Sequence, residues 1–162
     1  MSVAMSLRTA PFRAFLENPI VLSAITSWFF AQVIKSAIVL LRTKRRDFKE
    51  ALRTIAWRTG GMPSSHAALV SAMTTSIAIR EGVQSNLFVV SFFMALIIMR
   101  DAMGVRRSSG IQARSLNSLG KSIEERIGLE YHAVKEVQGH APLEVVIGAL
   151  LGIFIAAAYA YL

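Results

Sequence analysis

The chain has no cysteine, which excludes disulfides, thiolate metal sites and thiol nucleophiles. Acidic residues are scarce, 10 against 18 lysines and arginines, for a net charge of +8. Such a balance invites a nucleic-acid reading. The basic residues, however, sit in the gaps between apolar runs, where they meet lipid headgroups or an anionic ligand, so nucleic acid is not the expected partner. The start of the chain carries Arg8 and Arg13 but no apolar core followed by a small-residue cleavage site; it reads as an amphipathic start rather than a targeting segment.

Apolar residues make up 54% of the 162 positions, and the mean hydropathy of +0.49 is too high for an ordinary soluble domain of this length. Four apolar segments carry the excess. Pro19 to Leu41 exceeds the ~20 residues a helix needs to cross a bilayer. Ser64 to Ile79 is shorter and rich in Ala, Ser and Thr, as expected of a span surrounded by protein. Asn86 to Met99 reads "NLFVVSFFMALIIM" and continues as helix past Arg100. Pro142 to Leu162 carries "GALLG" at Gly148 to Gly152 as a close-packing face and ends in Tyr159 and Tyr161 at interface depth. The expected fold is all-α: one membrane-embedded domain over residues 1–162, an integral-membrane bundle of about four transmembrane helices with amphipathic connecting helices.

Arg42, Lys44, Arg45, Arg46, Lys49, Arg53 and Arg58 fill the first long connection; Arg100, Arg106, Arg107, Arg114, Lys121, Arg126 and Lys135 fill the second. With four crossings both fall on one side, and the positive-inside tendency makes that side cytoplasmic. Within the second connection Leu116, Leu119, Ile123 and Ile127 recur at helical spacing. A membrane-lying flap and a plain packed surface helix both fit; the packed helix is the expectation.

Four pieces carry chemistry. In "GGMPSSH", Pro63 suits a first helical turn, placing Ser64, Ser65 and His66 at a helix N-terminus, whose free N–H groups and dipole attract an anion. Gly60 and Gly61 let the preceding backbone fold around it. The plainer alternative makes Ser64 a simple cap. In "KSAIVLLR", Lys35 is an ionisable group inside a span, a functional marker by default, with Arg42 two turns on along one side. In "MRDAMGVRRSSG", Arg106 and Arg107 offer planar forks suited to phosphate, while Asp101 needs a cation, one of the arginines or Lys35. In "GHAPLE", Glu144 follows His140 by four residues and can accept from the imidazole, fixing which nitrogen is free; alternatively it caps the helix. All four pieces arrive at the cytoplasmic rim, and together they describe an anion site, most simply for phosphate, with two acid–base or nucleophilic imidazoles.

These residues resemble the phosphatidic-acid phosphatase type 2 (PAP2) superfamily, related to acid phosphatases and vanadium haloperoxidases, and specifically its divergent branch of small bacterial and plant membrane proteins. The superfamily's lysine–arginine motif reads Lys35 to Arg42, with Thr43 where proline is usual. Its proline–serine–glycine–histidine motif reads Pro63, Ser64, Ser65, His66. Its third motif is split: Arg106 or Arg107 supplies the arginine, and His140 with Glu144 stands for histidine and aspartate. "AQVIK", "GGMPSSH", "DAMGVRR" and "GHAPLEVVIGALLG" follow the divergent branch in order.

The resemblance implies a metal-independent and cofactor-free membrane phosphatase with a lipid-phosphate substrate, in a bacterial inner membrane or a plastid membrane. His140 would be the nucleophile, forming a phosphohistidine, with Glu144 orienting it. His66 would be the acid and then the base. Lys35, Arg42, Ser64, Ser65, Arg106 and Arg107 would hold the phosphate oxygens, with Asp101 as a possible orienting acid or an anchor for an arginine. The runner-up is a non-catalytic module that binds phosphate or phospholipid headgroups. A transporter is disfavoured, since no inverted repeat is visible.

Overall fold

A computed structural model describes residues 11–42, 61–137 and 139–161, apart from the side chain of Arg42. Among them every regular element is helical. After a short helix at 11–16 come α1 (Pro19–Arg42), α2 (Ser65–Glu81), α3 (Asn86–Met103), α4 (Val105–Ile127) and α5 (Pro142–Ala160). The basic residues from Lys44 to Arg58, Gly60, and the opening residues with Arg8 lie outside the described residues.

Among the described residues, three helical segments are long and apolar enough to cross a membrane: Pro19–Leu41, Asn86–Ile127 with α3 as its apolar part, and Pro142–Ala160. The expected second span, α2, is a 17-residue helix outside that set. It is instead the hub of the bundle, packed against α1, α3 and α5. Its inward residues are small: Ala67, Ala68, Ser71, Ala72 and Thr74 are all buried. Large apolar side chains such as Phe29, Phe30, Val90 and Phe93 point outward. This arrangement suits lipid, which gives no hydrophobic drive between helices and leaves close packing and interhelical hydrogen bonds to hold them.

The hydrogen bonds set the directions. On α1, Ser27 Oγ donates to Ala68 O at 3.1 Å and Ser23 Oγ meets Ser76 Oγ at 2.7 Å, so α1 and α2 are antiparallel. Thr74 Oγ1 on α2 donates to Ser91 O on α3 at 3.2 Å. The "GALLG" face does what its small residues predict. A Cβ on Gly148 would come within 2.3 Å of Ser64 O, and one on Gly152 within 2.2 Å of Ala68 O. The rising order of these pairs makes α2 and α5 parallel, with both N-termini at one rim.

From that rim α4 leaves the bundle and, among the described helices, meets only α3. It ends at Gly128 in the left-handed region (φ 72°), and a non-helical strap, residues 129–137 and 139–141, retraces it. Gly120 lies against the Tyr131 ring, Gly110 against Val137 O and Gly139 against the Arg107 backbone, each too closely for a side chain. Asn117 fastens the strap: Nδ2 donates to Val134 O and Glu136 Oε1, both at 3.0 Å, while Oδ1 accepts from Val134 N–H and the Tyr131 hydroxyl, both at 2.9 Å. All four positions of the amide are thus filled.

The packed helix expected for this connection is not what forms. Leu116, Leu119, Ile123 and Ile127 remain 40–69% exposed, because Gly110, Asn117 and Gly120, on a different face, bind the strap.

Candidate functional site

The rim gathers the C-terminal halves of α1 and α3 and the N-termini of α2 and α5. Ser64 is the N-cap of α2, its Oγ accepting from Ala67 N–H at 3.4 Å, so the capping role holds for this buried hydroxyl. Its own N–H donates to Glu144 O at 2.9 Å, tying the two parallel helix starts together. Pro63 stands just ahead of the cap, after a cis peptide bond, rather than in the first turn. Ser65, buried, and His66 open the helix, where the first N–H groups lack intrahelical acceptors.

His140 is 3% exposed, and among the described residues neither ring nitrogen has a hydrogen-bond partner. Its backbone N–H donates to Ala102 O at the end of α3, 3.0 Å away. The His66 and His140 rings, 74 positions apart in sequence, stand edge to face with centroids 6.4 Å apart. Lys35, 3% exposed, comes from α1, its stem beside Gly61; Gly61 needs its positive φ of 89°, where a side chain is strained.

Burial pushes the His140 pKa down, the Lys35 charge pushes it further, and Glu144 partly opposes both. The imidazole is therefore neutral at pH 7. Of the paired arginines, Arg106 acts electrostatically on both histidines. Arg107 instead lines a polar cleft of about 460 Å³ with Gly61, Glu144, Gly139 and Arg114.

One expected partnership is corrected. Glu144 does not accept from the His140 imidazole: its Oε2 accepts from Ala141 N–H at 3.1 Å, because a carboxylate in the first turn is best placed to satisfy the free backbone donors there. Asp101 anchors an arginine, one of its two expected roles, accepting from Arg106 Nε at 2.8 Å. The structure thus brings together Lys35, Ser64, Ser65, His66, Arg106, His140 and Glu144, with Arg107 at the edge. Arg42 is the last residue of α1, its side chain outside the described residues. Sequence reasoning missed Asn117 and Gly139, which hold the strap that delivers His140; the glycines at 110 and 120 in a charged helix were the available signal.

A sequence profile described as the Divergent PAP2 family matches residues 16–155. An uncharacterized membrane protein, YuiD of Bacillus subtilis (strain 168), is 39% identical over 157 residues, covering 90% of this chain and 96% of its own length. No solved structure matches the chain. With nearly all of its length matched by the family profile, and with the ordered pieces at one rim of a multi-pass membrane bundle, the chain belongs to the divergent PAP2 family.

Proposed function

We propose that the rim is the active site of an integral-membrane phosphatase that hydrolyses a lipid phosphate monoester or diphosphate through a phosphohistidine. The observation that carries this reading is the His66–His140 pair: two imidazoles 6.4 Å apart between centroids, the buried one neutral and unpartnered. A binding site needs cations alone; a nucleophile and a proton donor flanking one gap serve bond breaking.

In this reading a bound phosphate dianion favours the protonated form of His66; a His140 ring nitrogen then attacks phosphorus as the P–O bond to the lipid breaks, and His66 gives that proton to the departing oxygen. His66, now neutral, takes a proton from water as that water attacks the phosphohistidine, releasing inorganic phosphate and restoring both imidazoles. Lys35, Arg106, Arg42 and the Ser65 N–H stabilise charge on the equatorial oxygens. Glu144, fixed by the Ala141 N–H, balances charge near His140 without orienting it. An apolar cleft of about 610 Å³ between α3 and α5, reaching Met99, Met103 and Val145 beneath the rim, supports a substrate with an acyl or prenyl tail. The basic connections support a cytoplasmic-facing site.

Purified protein in detergent is expected to release phosphate from a short-chain lipid phosphate in the presence of a chelator. His140→Ala should lower the rate at least a thousandfold while phosphate binding persists. Vanadate should inhibit. Binding without turnover across a panel of lipid phosphates would instead establish the non-catalytic module, which the capping role of Glu144 favours. Labelling a cysteine placed at Tyr161 from either side of intact cells tests the orientation.

A further inference from the structure

The α4 arm is about 34 Å long by its 23 residues, and its faces differ sharply. At about 100° per residue, Val105, Leu116, Leu119, Ile123 and Ile127 share one stripe, all of them exposed. Arg107, Arg114 and Lys121, seven apart, run along the opposite side. The strap takes a flank between them, over Gly110, Asn117 and Gly120, so it leaves the stripe bare.

A five-residue apolar stripe on a projecting helix is costly in water, and no described helix of the chain covers it. The arm begins at Val105, two positions after the end of α3, whose apolar flank is itself lipid-exposed. The lipid surface met by α3 therefore reaches the first residue of the stripe. Apolar residues on one side and a row of cations on the other are the pattern of a helix that lies in the membrane interface, cationic face toward water and headgroup phosphates.

We propose that α4 lies in the headgroup layer of the bilayer, its stripe inserted among the upper acyl segments, as an interfacial arm of the bundle. This placement is independent of any catalytic activity. It sets the depth of the rim, because the strap on the flank of α4 ends at Gly139 and His140: an arm resting on the interface holds that imidazole at headgroup level.

Because the chain has no cysteine, single labels are unambiguous. Leu119→Cys, Lys121→Cys and the lipid-facing Val90→Cys would each carry an environment-sensitive fluorophore in nanodiscs of phosphatidylcholine with and without phosphatidylglycerol. Lipids spin-labelled near the headgroup should quench the Leu119 probe at least threefold more than the Lys121 probe, and iodide should show the reverse order. The anionic lipid should widen the difference. Equal iodide access at 119 and 121 overturns the proposal. So does a Leu119 probe shielded from both quenchers, which would mean that protein, either a second copy or residues 43–60, covers the stripe. The labelled positions are exposed, and unchanged melting of each variant confirms that the fold is retained.

Discussion

In the bundle, small residues face inward and large apolar ones outward; in the α4 arm, an asparagine and glycines face inward against a strap. Both regions use glycine for close approach to backbone, Gly110 and Gly139 in the arm as much as Gly148 and Gly152 in the bundle. Gly148 and Gly152 meet the backbone of α2, which cannot yield without moving a helix. In the arm the backbone approached is a strap, and Gly120 meets the Tyr131 ring, a side chain held by its hydroxyl bond to Asn117. The bundle is held by shape with single hydrogen bonds spread between its helices, and the arm by a cluster of hydrogen bonds on one amide, Asn117, so the two should fail differently.

The largest effect should come from the bundle seam. Gly152→Val is expected to cost about 3 kcal/mol by overpacking, measured by thermal unfolding in detergent, and to release α5 from α2. An unchanged melting temperature would show that the seam is not tight. Next, Asn117→Ala should cost about 2 kcal/mol, because it leaves the Val134 N–H and C=O unsatisfied. The loss should appear as faster hydrogen exchange across residues 131–137 with α2 protection unchanged, and as slower turnover if His140 drifts.

Acidification probes the junction of the two regions. The folded pKa of His140 lies below its ordinary 6.5, so the unfolded chain binds the proton first and stability falls as pH drops below 6.5. His140→Gln should weaken that dependence between pH 7.5 and 5. Breaking the exposed Asp101–Arg106 pair with Asp101→Asn should cost under about 1 kcal/mol of stability, while lowering phosphate affinity by releasing Arg106. Smallest in net effect, Gly120→Ala should shift the melting temperature little: helix propensity gains about 1 kcal/mol, offset by about 1 kcal/mol for the Tyr131–Asn117 hydrogen bond lost when the ring gives way.

Much of the bundle was legible because its signals are periodic or compositional. The lengths of Pro19–Leu41 and Pro142–Ala160, the "GALLG" spacing, and the placement of Lys35, His66 and His140 at apolar-run ends all translate directly into helices and a shared rim. The arm was not legible in the same way. Asn117 looks like one more polar residue on a charged helix, and "EYHAVKEV" has no period that would announce a strap. Glu144 and Asp101 were ambiguous because a carboxylate serves an imidazole, a helix start or a guanidinium equally well in sequence. Distance decides among them.

The backbone bond from His140 to Ala102 sets the chain's point of departure beside its point of return. The excursion between them carries Arg106 outward and His140 back, so damage at its far end, remote from either imidazole, is transmitted to the rim along the strap.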